Sequence, residues 1–308
     1  MSRLIRTRVG TVIGTLAIGG AAVGVYTSLR RNIARFDSPI PSKAVFSGAA
    51  FTYLPLESSD QVNHNTKKLR FRLPDSESIS GTALTLNTDK ITTASLLTFS
   101  WPKGQYFPVL RPYTPISNPT NSSSQIDEPG FIELLVKKYP GGRSSTHLHA
   151  MEPGQSLLFV AAIKGPQWTP NKVGHVVLIA GGAGITPCYQ LARGILDNPG
   201  DNTAVTLIYG VNGDEDFLLQ REIEQWEQKF PSRFKAIVTV SKPDDGSTLK
   251  RGYVDGTLLK EALPDIGSKD SEVYVCGPPP METNLVGSRS KMGVLEELGY
   301  RKDQIHKF

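Results

Sequence analysis

The run Val176-Val177-Leu178-Ile179-Ala180 passes without a break into Gly181-Gly182-Ala183-Gly184-Ile185-Thr186-Pro187, and few folds accept such a join. Five consecutive apolar residues suit a strand covered on both faces, as in a parallel sheet. Glycines let the chain turn sharply and come close to a ligand. Thr186 is placed to cap the following helix and Pro187 to be its first residue. Backbone N–H groups there would face an anion such as a pyrophosphate. A glycine turn that only packs a helix on a sheet is the plainer alternative; the strand before it and the helix after it favour the dinucleotide reading.

The residues that follow keep alternating. Strands are expected at 205–209, 236–240 and 272–276, and helices at 188–196, 218–229, 257–263 and 294–298. A short strand is expected at 304–308. This order predicts a doubly wound parallel sheet from about residue 165 to the end. Ligands of such sheets bind beyond the carboxyl ends of the strands. The turn Cys276-Gly277-Pro278-Pro279-Pro280-Met281 therefore faces the same crevice as Gly182 and Gly184. Cys276 is placed beside a nicotinamide, or is simply a small buried residue. After the second strand comes Asp214-Glu215-Asp216, and no Lys or Arg occurs from 194 to 220. A ribose diol is acceptable to such a turn and a 2′-phosphate is not. Asp216, nearest the helix start, is given that role.

The first half reads differently. Residues 51–56, 68–74, 131–139 and 156–163 look like strands, with a short helix near 146–151 and a polar, proline-punctuated loop at 117–130. Together they predict a small antiparallel barrel over 48–164. Within it lies Arg111-Pro112-Tyr113-Thr114-Pro115-Ile116-Ser117. Two prolines stiffen the backbone and extend the residues before them. Arg111 then offers a forked cation for a diphosphate, Tyr113 a flat ring, and Thr114 and Ser117 hydroxyls.

Composition bounds the reading. A chain of 308 residues has room for about two domains. Two cysteines make no disulfide framework. The net charge of +5 comes from the first 36 residues, which hold six arginines and no acid, leaving 28 basic against 29 acidic residues elsewhere. The body thus lacks the basic excess that nucleic-acid binding needs, and no nucleic-acid partner or metal site is expected. Residues 9–29 are uncharged, 21 in all, enough to cross a bilayer. A retained anchor is expected, since the run is long and arginines follow it. A cleaved secretory signal is the competing reading. The arginine-rich, acid-free leader fits a mitochondrial address.

These motifs carry a resemblance. Over roughly residues 46–308 the chain resembles the NADH–cytochrome b5 reductase family, among the ferredoxin reductase-like flavoenzymes. It does so through Arg111-Pro112-Tyr113-Thr114-Pro115-Ile116-Ser117, Gly141-Gly142-Arg143-Ser144-Ser145, Gly182-x-Gly184-Ile185-Thr186-Pro187 and Cys276-Gly277-Pro278-Pro279-Pro280-Met281, in the family's order. The leader and the ending Gly299-Tyr300-x-Lys302-Asp303-Gln304-Ile305-x-Lys307-Phe308 look most like the fungal mitochondrial form.

The resemblance implies a leader and transmembrane anchor at 1–36, a linker at 37–47, an FAD-binding barrel at 48–164 and an NADH-binding α/β domain at 165–308. It implies FAD and NADH as cofactors and cytochrome b5, or a similar haem protein, as acceptor. Arg111 with Pro112 would bind the FAD pyrophosphate, Tyr113 would pack on the flavin and Thr114 would bond near its N5. His64 would link to the flavin through Thr114. Gly141, Gly142, Arg143, Ser144 and Ser145 would line the phosphates, and Thr186 would touch the flavin from the other domain. Cys276, Gly277 and Pro278, backed by Met281, would guide the nicotinamide, with Phe308 at the interface. Arg143, Ser144, Ala183 and Gln220 depart from the family's usual residues, and none of them is a hydride-transfer group. A mitochondrial membrane is the expected location, the endoplasmic reticulum the alternative. Two other functions stay open: a reductase on the same scaffold with another acceptor (a quinone, a ferric complex, a haem-assembly partner), or a tethered dinucleotide-binding protein without catalysis.

Overall fold

The computed structural model describes residues 44–46, 49–81, 91–102, 104–116, 129–263 and 267–308. The leader and the apolar run at 9–29 lie outside the described residues, as does most of the expected loop at 117–130. Among the described residues no helix is long and apolar enough to cross a membrane.

The described residues of the first half form one antiparallel sheet. Its strands are β1 (Ala49–Asn63), β2 (Thr66–Arg72), β3 (Ile91–Ser100), β4 (Val109–Tyr113), β5 (Phe131–Lys137) and β6 (Ser156–Trp168), in the order β4-β3-β6-β1-β2-β5. β1 is long enough to serve two neighbours. Its first half pairs with β6 and its second with β2, and the register slips between Leu56 and Ser58. That irregularity bends the sheet on itself. The segment after β4 completes the curl, because Pro115 bridges Leu134 of β5 and Ile116 N donates to Glu133 O at 2.9 Å. The proline-stiffened heptad is thus the seam of the barrel. Pro112 is tolerated because β4 is an edge strand. Inside lie Leu54, Leu69, Phe71, Leu96, Ile132, Leu134 and Phe159, all fully buried or nearly so.

The second half gives a parallel sheet: β7 (His175–Gly181), β8 (Ala204–Val211), β9 (Phe234–Val240), β10 (Lys250–Arg251), β11 (Ser271–Cys276) and β12 (Ile305–Lys307), ordered β10-β9-β8-β7-β11-β12. The chain starts at β7, grows to one side through β8, and returns to the other through β11. The reversal opens a crevice at the carboxyl ends of β7 and β11. The helices are α1 (Arg143–His149) in the barrel, then α2 (Ile185–Leu196), α3 (Gln220–Lys229), α4 (Gly256–Ala262), α5 (Pro279–Val286) and α6 (Val294–Glu297).

Several expectations change. β3 is not anticipated by periodicity, because Thr98 and Ser100 are completely buried and spoil the alternation. α5 forms where only a proline turn is expected; prolines suit the first turn of a helix, where their missing N–H costs nothing. α3 begins at Gln220, after Leu219 in the left-handed region at φ 57°. β6 runs through Gly165-Pro166 to Trp168, past the expected boundary at 164. Gly165 is there for close approach: a Cβ would collide with Thr93 Oγ1.

The end of β6 locks the two halves together. Trp168, wholly buried, donates its indole N–H to Asp201 at 2.7 Å, and Asp201 also accepts from Thr203 Oγ1 at 2.6 Å and from the N–H groups of Asn171 and Thr203. Nearby, Gln190 of α2 accepts from Ala94 N at 2.9 Å and donates to Ala94 O. Asp201→Ala orphans a buried indole N–H among others, at about 1–3 kcal/mol for each group left unsatisfied. Urea unfolding should show a lower midpoint with an unchanged slope.

Candidate active site

A cleft of about 600 Å³ lies between the two sheets. The barrel contributes Ser95, Arg111, Pro112, Tyr113, Thr114, Lys137, Tyr139 and the stretch from Gly141 to Ser145. The parallel-sheet half contributes Gly181, Ala183, Gly184, Thr186, Pro187, Cys276, Gly277, Pro278 and the terminal Phe308.

On the barrel side, Tyr113 is held by its hydroxyl, which donates to Ser144 Oγ at 3.1 Å, and by packing on the barrel core. Burial raises its pKa, although Ser144 and the Arg111 charge act the other way. The Thr114 hydroxyl shares a hydrogen bond with Ser95 Oγ at 2.7 Å. Among the described residues the Arg111 guanidinium bonds only to the carbonyl of Leu110, at 2.8 Å. Gly141 turns at φ 71°. A Cβ on Gly142 would lie 2.5 Å from Ser145 Oγ, so the backbone lies bare there, beside Arg143.

On the other side, β7 is followed by Gly182, at φ 53°. Gly184 is the residue before α2, and its backbone packs on the turn after β11: a Cβ would collide with Cys276 O. This corrects the expected cap. Gly184 occupies that place, so Thr186 and Pro187 are the second and third residues of the helix, and Thr186 Oγ1 donates to Ala183 O at 3.1 Å. Burial, with the charge of Glu282, pushes the Cys276 thiol up to about 12 against the opposing charge of Lys307, so it is neutral at ordinary pH. Met281 does not line the cleft. Its sulfur packs beneath, where a Cβ on Gly181 or Gly277 would meet it at 2.6 and 2.9 Å.

Phe308 is carried into the cleft by β12. The Tyr274 ring stacks on His306 with centroids 4.7 Å apart and meets Phe308 at 5.9 Å. Glu272 accepts from the Tyr274 hydroxyl at 2.7 Å and pairs with Lys172 and His306. Burial alone would raise this carboxyl; the contacts with His306, Lys172 and Tyr274 win and hold it at about 2.

Two expected site residues do not line the cleft. His64, in the turn between β1 and β2, is 2.7 Å from Glu215 and bonded to Asn65, and it makes no link to Thr114, whose partner is Ser95. Asp216 is not presented to solvent. It is buried and paired with Lys137 of β5 at 2.6 Å, with Asn65 Nδ2 at 3.1 Å. The other two acids of that turn are also engaged, Asp214 by Ser247 and the Asp244 N–H, Glu215 by His64. The absence of a cation between 194 and 220 therefore misled, because the cation comes from the other half of the chain. Ser117 lies outside the described residues. Lys137, Tyr139 and Ser95 were missed. A lysine closing a strand just before Gly141-Gly142 is the signal that could have found the first of them.

The residues fit FAD. A cationic fork with no acid beside it among the described residues, a fixed aromatic ring, a hydroxyl pair and a bare glycine backbone suit a diphosphate, a ring and a ring edge. Two sheets of these topologies meeting at such a cleft define an oxidoreductase that binds a flavin and a nicotinamide dinucleotide. Residues 53–169 match the oxidoreductase FAD-binding domain family and residues 178–286 the oxidoreductase NAD-binding domain family. NADH-cytochrome b5 reductase 2 of Pyricularia oryzae is 39% identical, over 98% of this chain and 90% of that protein. The Botryotinia fuckeliana protein of that name is 43% identical, over 86% and 75%. Among solved structures, the cytochrome b5 reductase domain of Ulva prolifera nitrate reductase superposes with a TM-score of 0.66 at 26% identity, covering 84% of this chain and 97% of that one. The chain belongs to the NADH–cytochrome b5 reductase family.

Replacing Lys137 with Met leaves Asp216 buried without its cation, at a cost on the order of 3–5 kcal/mol. In the native protein burial would raise the Asp216 carboxyl, but bonds from Lys137 and Asn65 and the lysine charge lower it below 3.8. Its contribution is therefore present above that value and lost as pH falls below it. The variant should be less stable at pH 7 and should lose less of its remaining stability to acid, as measured by unfolding at pH 7, 5 and 3.5.

Proposed function

We propose that this chain takes hydride from NADH onto bound FAD and passes single electrons to cytochrome b5. One observation carries the reading: Arg111, Tyr113 and Thr114 share a single cleft with Gly184, Cys276 and Phe308. The relatives' names supply the acceptor. FAD, when bound, converts a two-electron donor into one-electron steps, and the protein supplies position and electrostatics. Arg111 and the backbone at Gly141 and Gly142 would hold the diphosphate, with Arg143, Ser144 and Ser145 around it. Tyr113 would pack against the ring, and Thr114, set by Ser95, would bond to it. Thr186 would face the ring from the second half. Cys276, a neutral thiol, and Pro278 bound the nicotinamide pocket without adding charge, and Phe308 caps it.

The apolar run at 9–29 serves as a membrane anchor, and its arginine-rich flank supports a mitochondrial membrane, with the endoplasmic reticulum as the alternative. Stopped-flow mixing tests the reaction. NADH should bleach the purified yellow protein, and oxidised cytochrome b5 should restore the colour; a protein that bleaches but does not reduce cytochrome b5 has another acceptor.

Arg111→Ala should lose roughly 1.5–3 kcal/mol of FAD binding, about one to two decades in Kd. Full flavin content with an unchanged Kd would remove the arginine from the diphosphate site. NADH should be preferred to NADPH, and Asp216→Ala should narrow that preference. The substitution removes a negative charge and also frees the Lys137 cation beside the cleft. One charge at about 4 Å is worth ~1 kcal/mol in water and ~4 kcal/mol at an effective dielectric of 20. The kcat/KM ratio for the two nucleotides, at two salt concentrations, reads the change.

A further inference from the structure

The outer face of the barrel carries an apolar row that the redox site does not use. Tyr53 of β1 is directly opposite Leu158 of β6, Leu158 opposite Phe99 of β3, and Phe99 opposite Leu110 of β4. Directly opposed residues share a face, so four neighbouring strands present one continuous line. Their sequence neighbours Leu54, Leu157 and Phe159 belong to the barrel core, which puts the line on the outside. Trp101, just past the end of β3, extends it, with its ring centroid 6.3 Å from that of Phe99. Phe51 flanks Tyr53 on β1. Phe51, Tyr53 and Trp101 are 67%, 68% and 57% exposed. Tyr106 and Phe107, still more exposed, follow in the connection from β3 to β4.

We infer that this face rests on the surface of the membrane to which the chain is tethered. The inference builds on the proposed anchor. Exposed apolar patches mark protein or membrane contacts, and two features favour lipid. The patch is built from Tyr, Trp and Phe, the residues that settle at the headgroup level of a bilayer, and no residue of the row is charged. It also begins on the first strand that the chain enters after the apolar run at 9–29 and the arginines beyond it. A patch too small to hold lipid alone becomes effective when a tether keeps it at high local concentration. Tyr113 and Arg111 are on the other side of the same sheet, opposite Leu96 and Thr98, which are both completely buried on the core side. Docking by the outer face therefore leaves the cleft turned away from the bilayer and open to nucleotide and acceptor.

The protein carries its own reporter. The chain has three tryptophans; Trp168 is wholly buried, Trp226 is 7% exposed, and Trp101 is the exposed one. Full-length protein is reconstituted into phosphatidylcholine vesicles with or without 6,7-dibrominated acyl chains and isolated by flotation. The expected result is flotation in both, with a loss of emission in brominated vesicles that disappears in Trp101→Phe and weakens in the Phe51→Ser/Tyr53→Ser double variant. That double variant should float and reduce its flavin as the native protein does. Flotation without quenching overturns the docking and leaves the anchor standing. Failure to float overturns the anchor and the docking with it. Trp101 emission that is shielded from aqueous acrylamide in the absence of lipid also overturns it, since the face is then covered by another segment of the chain or by a second copy.

Discussion

The ion pair between Lys137 and Asp216 joins the barrel to the parallel sheet at the edge of the cleft, and both side chains are almost fully buried. Removing two charges from water is costly, and the mutual attraction offsets that cost only when geometry is good and further bonds are made. Here Asn65 and the Gly213 N–H supply those bonds. The pair is accompanied by contacts from the same β1–β2 turn, where Asn63 Nδ2 donates to Glu215 O at 2.7 Å. One turn of the barrel thus grips one turn of the sheet, and the cleft has a defined width on that side.

The second clamp, at Trp168 and Asp201, lies at the far end of β6 from the start of the barrel. Two separated clamps restrict rotation of one half against the other. The cleft residues are consequently held by elements whose own positions are set by burial. β7 and β11 are covered on both faces, and the turns at their carboxyl ends pack backbone on backbone through Gly184 and Cys276. On the barrel side the seam after β4 is stiff because of its prolines and because it bridges to β5. A flavin and a nicotinamide placed in this cleft would meet with little need for the protein to reorganise.

Much of the architecture was legible in the residues. The continuous apolar stretch of β7, the alternation of β2 and the order of strands and helices in the second half are local patterns, and the elements appear within a few residues of where they were expected. The chemistry-bearing motifs at Arg111, Gly142, Gly184 and Cys276 also converge in one cleft. What escaped were elements that break the pattern. β3 hides hydroxyls in the interior, and Thr93 and Thr98 find partners there only because β6 and β4 are beside it. The partner of Asp216 escaped for a related reason: charge was counted along the chain, whereas electrostatics acts through space, and the cation comes from β5.

The chain's own chemistry indicated most of the strands, the glycine turns at their ends and which two halves must meet. Those are consequences of short-range sterics and of burying apolar faces, and they are written into neighbouring residues. The partners of the polar groups came only with folding. Lys137 for Asp216, Ser95 for Thr114, Glu215 for His64 and Asp201 for Trp168 are pairings between residues 19 to 151 positions apart. The buried ones among them exist because burial forces a polar group to find whatever the packed neighbour offers, and no local pattern encodes that neighbour.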